Sequence, residues 1–255
     1  MYFTYKNISL FYEEMGTGKK TILILPGWGD TRSTFRNIIS YLAKEYTVIC
    51  IDYPGFGKSS FPNYSMTIYD YALLIKAFIE ELELNDPIII AHSFGGRIAT
   101  LLTGYYHMTI SRMVLMDIAG IKPKKTVCRR IKSLIYKTLK KAQYLIPSKY
   151  KKRYLEKLSN LFGSTDYNNL PNCMKTTFSN IVQEDLKYYV KDIKSECLLL
   201  WGENDDATPL QDGYFFQDNI KDSALIVFAG RSHFAYLEEP WQTINIIMTF
   251  IEDDV

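Results

Sequence analysis

The sequence predicts an α/β fold: a mostly parallel sheet covered by helices on both faces. Three observations carry that expectation. Short apolar runs alternate along the chain with segments whose apolar residues recur at helical spacing. Those runs are apolar at nearly every position, as in strands buried on both faces. Several of them end in turns rich in glycine and proline.

The elements follow in order. Ile8–Glu13 alternates like a half-exposed strand, and Thr21–Leu25 is an apolar run that stops at Pro26-Gly27-Trp28-Gly29. Phe35, Ile38, Ile39, Leu42 and Ala43 fall on one helix face, and Tyr46–Ile51 is a buried strand ending in Asp52-Tyr53-Pro54-Gly55-Phe56-Gly57. Thr67 and Asp70 have capping-box spacing ahead of a helix whose Ile68, Tyr71, Ala72, Ile75, Phe78, Ile79 and Leu82 share a face. Pro87–Ala91 is a strand, Phe94–Leu102 a helix and Arg112–Met116 a strand. After a long basic stretch come the strand Cys197–Trp201, a helix near Leu210–Asn219, the strand Ala224–Phe228 and a last helix opening at Pro240-Trp241.

At 255 residues, 47% hydrophobic and 23% charged, the chain has the composition of a globular protein, which excludes a disordered or collagenous one. No apolar run approaches the ~18 residues needed to cross a bilayer, so no transmembrane segment is expected. The first residues lack the basic, apolar and small-residue series of a signal peptide, so a cytoplasmic location is expected. Cys50, Cys128, Cys173 and Cys197 form no Cys-x-x-Cys pair and have no histidines nearby, so free thiols and no zinc site are expected.

The net charge of +2 hides an asymmetry: between Lys122 and Asn160 stand fourteen Lys and Arg and a single acid, Glu156. Such a shift marks a boundary. The expected division is a core of residues 1–120 and 196–255 with an insertion at 121–195. In the insertion Val127, Ile131, Leu134, Ile135, Leu139, Ala142, Leu145 and Ile146 trace an apolar face, with most lysines and arginines off it. Beyond solvation, the charge suggests a weak contact with anionic lipid or an acidic substrate. Nucleic acid is not an expected partner, because no recognition module accompanies the charge.

In parallel sheets, reactive groups gather where strands exit. The strand Pro87–Ala91 runs through His92-Ser93-Phe94-Gly95-Gly96 into a helix. This resembles the nucleophile elbow of the α/β-hydrolase family, written Gly-x-Ser-x-Gly, with Ala91 in the first glycine place. The turn is so sharp that the residues two before and two after the serine must be small. The resemblance spans residues 1–120 and 196–255, and the insertion falls where this family often carries a helical cap, or lid.

A serine hydroxyl needs a base. Of three histidines, His92 adjoins Ser93 on a strand and points to the other face, and His107 lies at the far end of the following helix. His233 remains, in Ala229-Gly230-Arg231-Ser232-His233-Phe234 after a strand, similar to the family's catalytic-histidine loop. The imidazole in turn needs a carboxylate. Gly202-Glu203-Asn204-Asp205-Asp206 resembles the family's acid loop, which implies Asp205, with Asp206 and Glu203 in reserve. The order Ser93, Asp205, His233 is the one α/β-hydrolases use. For the oxyanion hole, the Phe94 amide is one candidate, and the resemblance of Leu25–Asp30 to the family's oxyanion loop implies the Trp28 amide as the second.

The resemblance implies a serine hydrolase for a small-molecule acyl compound, above all a small or medium carboxylic ester, with no metal or organic cofactor. Cleavage of a carbon–carbon bond in a keto acid, of a lactone or of a thioester would use the same residues. Epoxide and haloalkane hydrolysis are disfavoured, since relatives with that chemistry carry aspartate at position 93. A ligand-binding receptor with idle catalysis is the alternative of another class. Because the base must be neutral, activity is expected to rise through pH ~6–7, where histidine titrates.

Overall fold

Eight strands hydrogen-bond into one sheet: β1 (Tyr2–Tyr5), β2 (Ile8–Met15), β3 (Thr21–Leu25), β4 (Thr47–Asp52), β5 (Ile88–His92), β6 (Arg112–Met116), β7 (Glu196–Gly202) and β8 (Ser223–Phe228). The computed structural model describes residues 1–122 and 172–252, with 139, 149–151, 153–154 and 170 between them. Strand order is β1-β2-β4-β3-β5-β6-β7-β8, with β1, β2 and β4 paired antiparallel and every pair from β4 to β8 parallel. The architecture is the mostly parallel, helix-flanked sheet that the sequence predicts.

The helices are α1 (Arg36–Leu42), α2 (Ile68–Glu81), α3 (Phe94–Thr100), α4 (Asn172–Gln183), α5 (Lys187–Val190), α6 (Leu210–Asn219), α7 (Ala235–Glu238) and α8 (Pro240–Glu252). Alternation along the strands sends side chains to two cores. Ile22 and Ile24, Val48 and Cys50, Ile88 and Ile90, and Val114 and Met116 join α1 and α8 in one cluster. The intervening residues, such as Leu23, Ile49, Ile89 and Leu115, are equally buried on the other face. Double coverage explains why the central strands read as continuous apolar runs. Helix α2 begins as expected: Thr67 Oγ1 accepts from the Asp70 amide at 3.2 Å and Asp70 Oδ2 accepts from the Thr67 amide at 2.7 Å.

From β3 the chain moves one way to β4 and then crosses to β5 on the other side of β3. That reversal places the β3 and β5 exits side by side, the position where open α/β sheets bind ligands. The Asp52–Ser59 turn leaving β4 is a structural tie, with Lys58 N donating to Asp52 Oδ2 at 2.9 Å and Phe11 N to Ser59 Oγ at 2.7 Å.

The chain divides into two compact units, residues 1–121 with 184–255 and residues 122–183. Residues 184–195, expected in the insertion, therefore belong to the core unit. Leu186, Val190 and Ile193 are buried, and Leu186 N donates to Gly120 O at 2.8 Å. In the second unit α4 is described, and Tyr154 Oη donates to Leu139 O at 2.7 Å. Most of the expected lid face and its basic residues, with Cys128, lie outside the described residues. Among the described residues no helix is long and apolar enough to cross a membrane, and Cys50, Cys173 and Cys197 are unpaired thiols.

Candidate active site

The three side chains expected from separate strand exits lie in one hydrogen-bonded line. Ser93 follows the last residue of β5, His233 lies beyond β8 and Asp205 beyond β7. His233 Nε2 is 2.9 Å from Ser93 Oγ, and His233 Nδ1 is 2.7 Å from Asp205 Oδ2. A carboxylate can only accept, so Nδ1 carries the ring proton and leaves the Nε2 lone pair to face the hydroxyl. Asp206 and Glu203, the reserves, are exposed, and Glu203 instead accepts from Gly230 N at 2.7 Å.

Close packing produces the Ser93 geometry. Ser93 adopts φ 47°, ψ −107°, a sparsely populated conformation for a residue with a Cβ. Its amide donates to Met116 O at 3.1 Å, and its carbonyl accepts from Gly96 N at 3.1 Å and Ala119 N at 2.9 Å, so the turn is fixed from both sides. At Gly95, two residues on, a Cβ would stand 2.0 Å from the Leu25 carbonyl oxygen, which accounts for the small residue there. Ala91, in the other small position, is fully buried.

Asp205 is gripped by its own loop. Oδ1 accepts from the amides of Ala207 at 2.7 Å and Thr208 at 2.9 Å, and Oδ2 accepts from Thr208 Oγ1 at 2.5 Å. Burial alone would push this carboxyl up, but the bonds from His233 and Thr208 outweigh it and hold the group below the ordinary aspartate value. Thr208 therefore does not cap the following helix: α6 has no side-chain cap, because the hydroxyl is turned inward.

Sequence reasoning missed three residues here. Thr208 is one. His92, correctly placed off the serine, donates through Nε2 to the His233 carbonyl at 2.9 Å and so fixes the backbone of the loop carrying the other imidazole. Burial pushes the His92 imidazole below its ordinary value, which favours the neutral ring. Gly27 lies against it, where a Cβ would stand 2.9 Å from His92 Nδ1. The third is Asp117, just after β6, whose Oδ1 accepts from Gly202 N at 2.7 Å. Its signal was an acid directly following an apolar strand, at an exit like the other three.

Phe94 opens α3, where an amide has no acceptor one turn back. Trp28 follows β3, and the two rings meet edge to face with centroids 5.2 Å apart, so both residues border the same space. Phe56 packs on Trp28 in turn, with ring centroids 4.9 Å apart. Among the described residues no group of three or more His, Cys, Asp or Glu is arranged to hold a metal ion.

Comparison with known proteins agrees with this architecture. A family profile described as the alpha/beta hydrolase fold matches residues 20–127. A 2-hydroxy-6-oxononadienedioate/2-hydroxy-6-oxononatrienedioate hydrolase of Pseudomonas putida is 24% identical, covering 96% of this chain and 92% of its own. Among solved structures, an alpha/beta hydrolase enzyme from a Medee basin deep-sea metagenome library superposes with a TM-score of 0.76 at 20% identity, covering 99% of this chain and 97% of that one. An esterase from Exiguobacterium antarcticum gives a TM-score of 0.74 at 20% identity, covering 96% of each chain.

Proposed function

As this chain is an α/β-hydrolase-fold protein, we propose that it is a serine hydrolase acting on a small-molecule acyl compound, in the first place a small or medium carboxylic ester. The observation that carries the reading is the line Ser93 Oγ, His233, Asp205, closed at 2.9 and 2.7 Å beside the point where strand order reverses.

In this reading Ser93 Oγ attacks the carbonyl carbon as His233 Nε2 takes its proton, and Asp205 stabilises the resulting imidazolium. The Phe94 and Trp28 amides donate to the oxyanion; losing one such donor typically costs about 10²–10³ in turnover. The carbon–oxygen bond to the alcohol breaks as His233 returns the proton to the leaving group. Water, deprotonated by the same imidazole, then cleaves the acyl-enzyme and restores the Ser93 hydroxyl. We assign the packed rings of Trp28 and Phe56 the part of an apolar wall, which suits an apolar acyl group better than a charged one. We place the protein in the cytoplasm, assign the inserted unit, residues 122–183, the part of a helical lid, and assign its basic stretch a weak attraction for anionic lipid or acidic substrates.

The test is labelling by a fluorophosphonate probe, expected in the wild type and absent in Ser93→Ala. A folded wild type that takes no label would instead favour a binding protein with idle catalysis. The Pseudomonas putida relative favours a second reading, carbon–carbon cleavage of a vinylogous keto acid by the same side chains. A substrate panel of ester chain lengths, thioesters, a lactone and such a keto acid separates the two.

A further inference from the structure

Beneath the Asp205 carboxylate lies a second carboxyl that the proposed chemistry does not use. Asp117 is 1% exposed and adopts φ 45°, unusual for a residue other than glycine. Its backbone is tied down: Asp117 N donates to Leu200 O at 2.9 Å, and Thr208 Oγ1 lies 3.0 Å from Asp117 O. Oδ1 accepts from Gly202 N, Oδ2 is buried without a donor among the described residues, and the same Thr208 hydroxyl that lies against the Asp117 carbonyl is 2.5 Å from Asp205 Oδ2.

A buried anionic oxygen beside another carboxylate is repulsive and unsatisfied, whereas a protonated one removes the like charge and can donate. We propose that Asp117 is a positioning residue that keeps its proton on Oδ2 and donates it to Asp205, so that two carboxyl groups share one negative charge. This rests on the hydrolase reading for its role in turnover, though not for its existence. The surroundings agree. Burial first, and then the charges of Asp205 and Glu238, push Asp117 up to about 8, against the single Gly202 amide that favours the anion. Titratable groups around it include Asp205 on the β7 exit and Tyr236 and Glu238 on α7, all acids, with the His233 imidazole bonded to Asp205. Below about pH 8 the donated proton steadies Asp205 against His233; above it Asp205 loses a donor and gains a like charge.

The sign for stability follows from linkage. A carboxyl raised in the folded state contributes stability that is complete below the unfolded carboxylate range of about 3.9 and is lost as pH rises through about 8. Urea unfolding of wild type and Asp117→Asn at pH 5 and pH 9 is the test. The expected result is that the wild-type midpoint drops relative to the variant on going to pH 9. Parallel midpoints at the two pH values overturn the proposal. Should the variant fail to fold, infrared spectroscopy of the wild type decides: a protonated carboxyl band at pH 7 that vanishes by pH 10 supports the proposal, and its absence at pH 7 overturns it. For turnover, the wild-type probe-labelling rate should decline through one ionisation near pH 8. Asp117→Asn should hold its own pH 7 rate to pH 10, and a decline matching the wild type's sinks the positioning role. The unfolding and infrared measurements do not involve Ser93. A chain never labelled at Ser93 would therefore defeat the hydrolase reading alone, and parallel midpoints in a labelled protein would defeat the carboxyl pair alone.

Discussion

Replacing Gly95 by alanine tests how far the position of Ser93 depends on helix α3 lying against β3. The added Cβ would stand 2.0 Å from the Leu25 carbonyl oxygen, 2.7 Å from its carbon and 2.9 Å from the Leu25 Cβ. Ordinary contact begins at 3.4 Å, so something must yield by about 1.4 Å. Leu25 cannot readily yield, because it ends a strand held in register with Ala91 of β5. The first turn of α3 must move, and Ser93 sits at its start. Misplacing a reacting group by about 1 Å costs about 10²-fold in rate, and overpacking costs about 1–3 kcal/mol of stability. The assay is the fluorophosphonate labelling rate, paired with urea unfolding. The expected result for Gly95→Ala is a rate about 10²-fold lower and a lower midpoint. Ala91→Gly, which removes one methyl without any clash, is the control: it should lose about 1 kcal/mol while labelling within a few-fold of wild type. A Gly95→Ala protein with wild-type rate and midpoint would refute the packing account of the elbow.

Thr208→Val removes the hydroxyl that bonds Asp205 Oδ2 but keeps the side-chain volume and the backbone bonds to Oδ1. A hydrogen bond to a charged group is worth about 1.5–3 kcal/mol, so the labelling rate should fall about 10- to 100-fold, with Thr208→Ser restoring most of it. A value within twofold of wild type would mean that the two amides hold the carboxylate unaided. Thr67→Ala opens the capping box of α2 without removing a group bonded to Ser93, and should lower stability by about 1 kcal/mol, or about 2–4 °C in Tm, with labelling within a few-fold of wild type.

The central strands were legible because burial on both faces forces an unbroken apolar run. Thr21–Leu25 and Arg112–Met116 have the same bounds in the sequence reading and in the structure. Ser93, Asp205 and His233 were legible because each lies at or in the loop after a strand, in segments that resemble those of the α/β hydrolases, and the structure brings them together. The first strand, Tyr2–Tyr5, was not, because it lies at the sheet edge, alternates only between exposed and half-buried, and turns into β2 through Lys6 and Asn7, both at positive φ. Tight hairpins usually mark that backbone with Asn-Gly or Asp-Gly, and Lys-Asn is a weaker signal. The polar supports were hidden for another reason. His92 bonds a carbonyl 141 residues away and Asp117 an amide 85 residues away, so neither partnership has a local pattern. The return of 184–195 to the core likewise depends on contacts across the chain, such as Leu186 with Gly120, rather than on composition.

The backbone of Ser93 has a consequence for how this chain can change over time. Holding a non-glycine residue at φ 47°, ψ −107° costs on the order of 1–3 kcal/mol, a substantial part of the margin by which a domain stays folded. Glycine at 93 would relax that tension at once, whereas alanine would keep it. Durability and reactivity therefore pull this codon in opposite directions, and a lineage no longer selected for its chemistry would gain a sturdier fold by surrendering its hydroxyl.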